Sequence, residues 1–192
     1  KNILIICDEV MSGFGRTGTF FAHFKQDIKP DIITVAKALT CGYIQLGAVL
    51  ISEKVANVFE NNPIMCGLTY SGHPLACNVA NNCLDLYLEN DSSIIKNVEY
   101  KSNILKENAS KISHKYDYIK AFRNNGLLGC FELELNDIQL EEFSELLLNN
   151  GIYCMRIRNN IFTAPPLNIC DKDLEDTLFK MNNVFEIYNE QL

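Results

Sequence analysis

The sequence has little positive charge and no long run of apolar residues. Lysine and arginine number 17 against 24 acidic residues, for a net charge of −7. This balance argues against a general nucleic-acid-binding protein, because such proteins need a basic surface. No apolar run approaches the roughly 20 residues that cross a membrane as a helix. The chain does have 47% hydrophobic residues over 192 positions, enough to bury a core without disulfides or metals.

The eight cysteines lack the spacing of a metal site. None form a C-x-x-C pair, and the three histidines are scattered, so the usual arrangement of zinc ligands is missing. Several cysteines lie in apolar segments, for example Cys77 and Cys83. We therefore expect small, buried and reduced side chains in a cytoplasmic protein. The alternative, a disulfide framework, is typical of shorter secreted chains.

Short apolar runs in the first part of the chain predict a sheet. Residues 3–7, 32–35 and 47–51 are rich in β-branched residues and continuously apolar, which is typical of buried parallel strands covered on both faces. From Pro74 the apolar residues recur with the helical period, which predicts a wide apolar stripe. Its two rows are Leu75, Val79, Cys83 and Tyr87, and Ala76, Ala80, Leu84 and Leu88. Residues 90–93 are expected to end this helix and cap a second one over about 94–112.

The second half of the chain predicts an α+β segment. Two antiparallel pairs are expected, 119–122 with 127–135 and 153–157 with 161–163, because turn residues separate the apolar runs. Helical spacing predicts a helix that ends near Gly151 and a last helix capped by Asp171. The apolar positions of these two helices are Leu140, Phe143, Leu146 and Leu147, and Leu174, Leu178, Met181, Phe185 and Tyr188.

Residues 13–18 fit the dinucleotide-binding pattern G-x-G-x-x-G, but their surroundings do not. That motif needs its first glycine at a strand end and a helix that begins inside it. Here residues 8–12 separate the apolar run from the glycines, and no long helical pattern follows before Pro30. We interpret the segment as a glycine-rich loop with unusual φ angles and not as a nicotinamide site.

Two residues of opposite charge follow two of the predicted strands. Asp8 comes directly after the first apolar run, and Lys37 follows the second. Open α/β sheets bind ligands at the carboxyl ends of their strands, and a charge placed there needs a partner. Pyridoxal phosphate chemistry needs such a pair: an amine for a Schiff base, and a carboxylate that keeps the pyridine nitrogen protonated. Taken singly, an aspartate at a strand end is often a loop-capping group, and a single lysine is usually solvated.

Three long motifs resemble the class III pyridoxal-phosphate-dependent aminotransferases, which have the fold-type I α/β architecture. Residues 4–18, LIICDEVMSGFGRTG, are similar to the family segment D-E-V-x-x-G-x-G-R-T-G. Residues 30–39, PDIITVAKAL, resemble its cofactor-lysine segment P-D-I-x-x-x-x-K-x-L, and residues 69–76, TYSGHPLA, resemble T-[YF]-x-G-[HN]-P. The motifs occur in the family's order, and the similarity extends through residues 126–135 and 164–167.

The resemblance implies an enzyme that uses pyridoxal 5′-phosphate (PLP) to move an amino group from an amine or ω-amino acid to a 2-oxo acid such as pyruvate. By position, Lys37 would form the Schiff base and carry the proton, and Asp8 would pair with the pyridinium nitrogen. Val10 would pack on one face of the ring. Thr69 would bind the cofactor phosphate, in this family usually that of the neighbouring subunit, which implies a homodimer.

Some positions depart from the family pattern. Met11 stands where many members have a glutamine that contacts the ring hydroxyl, so it would lie beside the cofactor without that hydrogen bond. Together with the T-Y-S-G-H sequence, Met11 favours the branch that uses pyruvate and ω-amino donors. Arg156 and Arg158 are candidates for binding the substrate carboxylate, because a guanidinium matches a carboxylate. Ile157 occupies the expected place, however, and a role as surface hairpin charges is equally open.

The resemblance also implies a division of the chain. Residues 1–88 are expected to form the second part of the PLP-binding large domain with a parallel-rich sheet, and residues 89–192 a connecting helix and an α+β C-terminal small domain. Family members are longer, and the chain begins at Lys1 just before an apolar run, so we expect a fragment that is inactive alone. Aminomutases, racemases and decarboxylases share this fold and lysine, and they stay open as alternatives, as does a truncated product without activity.

Overall fold

The computed structural model describes residues 3–192 and contains two separate β-sheets. The chain divides into a first unit that runs to Ile95 and a second from Lys96 to Leu192. The first unit holds a three-stranded sheet and the second a four-stranded sheet. Among the helices of residues 3–192, none is long and apolar enough to cross a membrane.

The first sheet has the strand order β1-β2-β3. Strand β1 (Ile6–Asp8) pairs in parallel with β2 (Ile32–Val35), and β2 pairs antiparallel with β3 (Ala48–Ile51). The remaining elements are the 3₁₀ turns Ala22–Gln26 and Lys37–Leu39, helix α1 (Glu53–Phe59) and helix α2 (Pro74–Ser113), which continues into the second unit. Strands β1 and β2 are short. Each leads at its carboxyl end directly into a turn, and Asp8 and Lys37 lie at these two ends.

The sequence predicted the positions of the strands in the first sheet better than it predicted their burial. β2 occupies the predicted residues, whereas β1 begins at Ile6 rather than residue 3, and β3 runs antiparallel rather than parallel. The prediction of strands covered on both faces is wrong within the first unit, where Ile6 and Val49 are each 63% exposed. A β-branched composition indicates a segment that suits a pleated, packed surface. The composition does not show which helix or strand would cover the sheet. Within residues 3–95, no element covers these exposed strand residues.

Helix α2 is interrupted where the sequence predicts a break. Residues 89–92 have non-helical backbone angles. The buried positions before this break are Ala76, Ala80, Cys83 and Tyr87. Leu75 and Leu88, which the sequence placed in the apolar stripe, are each 59% exposed. The stripe is narrower than predicted, because only two residues of each predicted row are buried and Val79 and Leu84 are partly exposed.

The second unit is built on an antiparallel sheet of order β4-β5-β7-β6. Its elements are β4 (Ile119–Asn125), β5 (Leu128–Leu133), α3 (Asp137–Asn149), β6 (Met155–Ile157), β7 (Asn160–Thr163) and α4 (Asp171–Asn189). Both predicted hairpins and both predicted helices are confirmed, with ends displaced by a few residues. Gly126 turns the first hairpin at φ +62°, a conformation that glycine adopts without steric cost.

Aromatic rings join the sheet and helices of the second unit. Phe131 on β5, Phe143 on α3 and Phe185 on α4 are fully buried. The ring centroid of Phe185 lies 5.0 Å from that of Phe131 and 4.9 Å from that of Phe143. Burying one such ring contributes about 1.5–3 kcal/mol, so the three rings of this cluster stabilise the second unit by several kcal/mol.

The two long helices of the second unit begin with different caps. The side chains of Asn136 and Gln139 form a capping box at the start of α3, which satisfies backbone N–H groups that have no helical partner. The sequence predicted Asp171 as the cap of α4. The structure places Cys170 there instead, where its Sγ accepts a hydrogen bond from the backbone N–H of Asp173 at 3.3 Å. Asp171 is the first helical residue, one position later.

The eight cysteines all lie within residues 3–192 and are free thiols. Only Cys83 is buried, and Cys41, Cys66 and Cys170 are exposed. The prediction of mainly buried cysteines is therefore wrong. A cysteine inside an apolar segment can still point away from the buried row, as the partly exposed Cys77 does on α2.

Candidate functional site

The carboxyl ends of β1 and β2 bring the two predicted chemical residues to one edge of the first sheet. The parallel pairing sets Asp8 opposite Thr34, and Lys37 follows Thr34 by three positions, just past the end of β2. Val10 and Met11 lie in the turn after β1, with Val10 partly buried and Met11 exposed. This is the edge at which open α/β sheets bind ligands.

The carboxylate of Asp8 is held by its neighbours through one oxygen. Its Oδ1 accepts hydrogen bonds from the backbone N–H of Val10 at 3.0 Å and from the Thr34 hydroxyl at 3.1 Å. Its Oδ2 has no hydrogen-bond partner among residues 3–192. The two bonds to Oδ1 fix the plane of the carboxyl group, and Oδ2 stays able to accept a bond from a ligand.

Lys37 has a strained backbone and an unpartnered side chain. It opens the 3₁₀ turn Lys37–Leu39 with a φ of +45°, a region that a residue with a side chain adopts at a cost of about 1–3 kcal/mol. The side chain is exposed, and its Nζ makes no hydrogen bond or ion pair within residues 3–192. Strain of this kind persists where the surroundings impose it, and it concentrates at functional sites.

The glycine-rich segment 13–18 is a turn with no helix, as the sequence predicted. Phe14, Gly15 and Gly18 have φ angles of +55°, +91° and +87°. The backbone N–H of Phe14 donates to the carbonyl of Phe20 at 2.6 Å, which closes the loop. A side chain at position 13 would place its Cβ 2.8 Å from the Glu9 carbonyl oxygen, so glycine is required there for close approach.

Glu9 is a buried acid beside Asp8 to which the sequence assigned no role. Only 2% of Glu9 is exposed. Its Oε1 accepts from the backbone N–H of His23 at 2.9 Å and lies 2.9 Å from His23 Nδ1, and the Ser12 hydroxyl donates to its Oε2. Burial acts to raise the pKa of Glu9, but the hydrogen bonds from Ser12, His23 and the backbone of Ala22 outweigh it and hold the pKa below its usual value.

The Glu9–His23 contact closes the loop that follows Asp8. The two residues are 14 positions apart, one on each side of the glycine segment, so no local periodicity links them. Their contact ties the turn after β1 to the 3₁₀ turn Ala22–Gln26. The turn after Asp8, which contains Val10, is therefore held by the buried hydrogen bonds of Glu9 with Ser12 and His23.

Replacing Glu9 with glutamine is expected to lower the free energy of unfolding by about 1–3 kcal/mol at neutral pH, because the amide would set an N–H donor against other donors. The folded pKa of Glu9 is lowered, so its stabilising contribution is present above the unfolded pKa and is lost as the pH falls through the folded value. Urea unfolding of the two proteins should therefore converge at low pH. The exposed Glu60→Gln variant serves as the control, and equal stability of Glu9→Gln and Glu60→Gln at neutral pH would contradict the assignment.

Thr69 lies in an exposed segment that leads into helix α2. All residues from 61 to 72 are exposed. His73 caps the helix, because its Nδ1 accepts from the backbone N–H of Ala76 at 3.4 Å. A cavity of about 340 Å³ lies beside the segment and is lined by Ile44, Gln45, Leu46, Tyr70, His73 and Ala76. The Thr69 hydroxyl is thus accessible to a ligand or to another chain.

The two candidate arginines belong to the second unit, whereas Asp8, Lys37 and Thr69 belong to the first. Arg156 on β6 forms an ion pair with Glu141 of α3, with 2.7 Å between Nη2 and Oε2. Arg158 is exposed in the turn between β6 and β7 at φ +54°. Its guanidinium has no partner within residues 3–192. Arg156 is thus paired with a residue of helix α3, whereas the guanidinium of Arg158 remains available to a ligand.

Sequence comparisons match the chain to known proteins over nearly its full length. Residues 1–185 match the family described as aminotransferase class-III. Vanillin aminotransferase of Capsicum frutescens is 43% identical over 134 residues, which cover 67% of this chain and 26% of that protein. Ornithine aminotransferase 2 of Staphylococcus saprophyticus is 36% identical over 189 residues, which cover 96% of this chain and 45% of that protein. The chain spans less than half the length of these relatives.

Solved structures agree with this match. Taurine:2-oxoglutarate aminotransferase from Bifidobacterium kashiwanohense, in complex with PLP and glutamate, has a TM-score of 0.93 at 34% identity, covering 99% of this chain and 45% of that chain. A transaminase from the marine bacterium Virgibacillus has a TM-score of 0.91 at 30% identity, covering 98% of this chain and 46% of that one. These similarities confirm the predicted fold-type I α/β class.

Proposed function

Because the chain belongs to the class-III aminotransferases, a PLP-dependent family, we propose that the full-length protein transfers an amino group from an amine or ω-amino acid to a 2-oxo acid such as pyruvate. The observation that carries the proposal is the placement of Asp8 and Lys37 at the carboxyl ends of two parallel strands. Each of these side chains keeps a polar atom open to a ligand, Oδ2 of Asp8 and Nζ of Lys37.

Lys37 performs two tasks in this proposal. PLP, when bound, supplies an aldehyde that condenses with amines and a ring that accepts the electrons of a carbanion. Lys37 Nζ would hold the cofactor covalently through its aldehyde, and the same amine would take up the proton that leaves the donor carbon. Nζ is exposed and has no ion pair among residues 3–192, so it is accessible to the cofactor.

Asp8 and the turn after it would hold the cofactor ring. Oδ2 of Asp8 would accept a hydrogen bond from the pyridinium N–H, while the bonds from Val10 and Thr34 to Oδ1 keep the carboxylate in place. A negative charge at that position keeps the ring nitrogen protonated. Val10 would pack on one face of the ring, and Met11 would supply an apolar contact without a hydrogen bond to the ring hydroxyl.

Thr69 would bind the phosphate of a neighbouring active site in a homodimer. Its segment, 61–72, is exposed throughout, as expected for residues that serve a second subunit. The segment contains several large apolar side chains, with Met65 96% and Leu68 82% exposed, and such a patch favours contact with another protein surface. The hydroxyl of Thr69 would donate to a phosphate oxygen.

We assign residues 1–88 to the second part of the PLP-binding large domain and residues 89–192 to a small domain with its connecting helix. The non-helical residues 89–92 of α2 support this boundary, whereas the two compact units divide seven residues later, after Ile95. In the small domain Arg158 is the better candidate for the substrate carboxylate, because its guanidinium has no partner within residues 3–192, whereas Arg156 already pairs with Glu141. A guanidinium can bind a carboxylate through two parallel hydrogen bonds.

The names of similar proteins support a terminal amino group in the donor. Taurine, ornithine and gamma aminobutyrate appear in the names of three of them, and each of these compounds carries an amino group at a chain end. The same names include 2-oxoglutarate as one acceptor. We therefore propose a donor of this chemical class and retain pyruvate as the acceptor, with 2-oxoglutarate as the competing choice.

A half-reaction screen tests the proposal. The full-length protein loaded with PLP is mixed separately with taurine, ornithine, 4-aminobutyrate and vanillylamine while its visible absorption is recorded. We expect a terminal-amino donor to convert the cofactor to its amino form, and pyruvate to restore the starting spectrum with formation of alanine. A racemase or decarboxylase would consume an amino acid without needing an oxo acid. Failure of every donor to change the spectrum would contradict transamination.

A further inference from the structure

Tyr87 of helix α2 makes a buried hydrogen bond to the lysine loop. Its hydroxyl donates to the carbonyl oxygen of Ala38 at 2.9 Å, and only 5% of the residue is exposed. Ala38 directly follows Lys37, so the bond holds the carbonyl group of the residue next to the proposed cofactor-binding lysine. The two partners are 49 positions apart, and the sequence placed Tyr87 only in an apolar row.

Tyr87 also contacts both neighbouring loops. Its ring stacks on Phe14 of the glycine segment, with centroids 5.9 Å apart and an interplanar angle of 22°. Its hydroxyl oxygen lies 3.1 Å from Cys41 Sγ. One side chain of α2 therefore joins the loop that follows Asp8 to the loop that follows Lys37.

We propose that Tyr87 is a positioning residue that holds Lys37 for its reaction with PLP, an inference that rests on the proposed function. The φ of +45° at Lys37 persists only if other contacts impose it. Within the loop, the backbone N–H of Thr40 donates to the Lys37 carbonyl at 3.2 Å, and that of Cys41 donates to the Ala38 carbonyl at 3.4 Å. These bonds are local and move with the loop. The bond from Tyr87 anchors the loop to a long helix.

The surroundings keep the Tyr87 hydroxyl a donor. Burial, followed by the contact with Cys41, raises the pKa of Tyr87 well above its usual value, and only the nearby Arg16 guanidinium acts in the opposite direction. The phenol is therefore protonated at physiological pH. Its one proton points to the Ala38 carbonyl. The Cys41 thiol lies 3.7 Å from the same carbonyl oxygen and 3.1 Å from the phenol oxygen, so it can donate to either of them.

Tyr87→Phe removes this hydroxyl and keeps the ring that stacks on Phe14. In the full-length protein we expect PLP to dissociate about three- to tenfold faster, in line with the loss of one hydrogen bond. The pH titration of the visible absorption of lysine-bound cofactor should shift, because the amine loses its fixed orientation. The kcat should fall more than the KM for the donor changes.

Tyr118→Phe is the matched control. Tyr118 is also a buried tyrosine whose hydroxyl donates to a backbone carbonyl, that of Phe185 at 2.7 Å, but it belongs to the second unit. Both variants should lose similar stability in urea unfolding, and only Tyr87→Phe should change the cofactor measurements. If wild-type protein traps PLP on Lys37 with borohydride and the two variants have the same cofactor release and titration, the inference is wrong. If wild-type protein traps no PLP on Lys37, the proposed function itself is wrong.

A measurement on the unaltered protein gives a second test. If Tyr87 anchors the loop, the backbone amides of Thr40 and Cys41 should exchange with deuterium as slowly as those of helix α2 in the PLP-loaded protein. Exchange of these two amides at the rate of the exposed segment 61–72 would show a loop that is not held, and would overturn the inference whether or not Tyr87→Phe folds.

Discussion

Replacing Lys37 with alanine is expected to abolish borohydride trapping of PLP on the protein and to lower the transamination rate by about a thousandfold or more, since both the covalent link and the proton carrier are lost. The fold should persist, because the Lys37 side chain makes no hydrogen bond or ion pair within residues 3–192. Mass spectrometry of the reduced, digested protein identifies the modified peptide. Far-ultraviolet circular dichroism reports the fold.

Lys29→Ala provides the control for this experiment. Lys29 is also an exposed lysine of the first unit, and it lies just before β2, but it does not follow a strand end that faces Asp8. This variant should trap PLP on the peptide that contains Lys37 and should keep the wild-type rate. A Lys37→Ala protein that traps PLP on another lysine to the same extent as the wild type, or that keeps full activity, would refute the role assigned to Lys37.

Local patterns in the sequence predicted the elements well, because an element's own residues determine its period. The five apolar positions of α4 recur on one helical face, and all five are buried: Leu174, Leu178, Met181, Phe185 and Tyr188. The residues of β2 were likewise predicted from a short β-branched run. Burial of the first sheet was not predictable in this way. Whether Ile6 or Val49 is covered depends on what packs against it, and that is a non-local property that composition does not contain.

The candidate site also has features that local sequence patterns predict and features that depend on long-range contacts. Asp8 and Lys37 could be placed together from the sequence, because the carboxyl ends of parallel strands lie at one edge of a sheet. The contacts that hold their loops could not. Glu9 meets His23 across 14 residues, and Tyr87 meets Ala38 across 49, with no periodicity to connect either pair. The sequence thus predicts which residues would react, and the structure adds the long-range contacts of the loops that carry them.

Replacing Asp8 with asparagine is expected to slow transamination by about a hundredfold, a typical effect of removing one electrostatic stabiliser from an active site. The amide oxygen of asparagine can still accept the hydrogen bonds that Val10 and Thr34 make to Oδ1, so the turn should keep its shape. The charge is lost, and with it the preference for a protonated ring nitrogen. PLP should still be trapped on Lys37, which separates this effect from loss of the cofactor.

Asp31→Asn is the control for Asp8→Asn. It removes the negative charge of an aspartate that lies just before β2, away from the carboxyl ends of the strands. Asp31 accepts from the backbone N–H of Ile5 at 2.9 Å and pairs with Lys54 at 3.3 Å. The hydrogen bond from Ile5, followed by the contact with Lys54, lowers the pKa of Asp31. These contacts join the residues before β1 to helix α1, so we expect Asp31 to stabilise the fold. Asp31→Asn should therefore lower the urea midpoint slightly and leave kcat unchanged. Single-turnover rates with a good donor make the comparison, and an Asp8→Asn rate equal to that of Asp31→Asn would exclude Asp8 as the partner of the ring nitrogen.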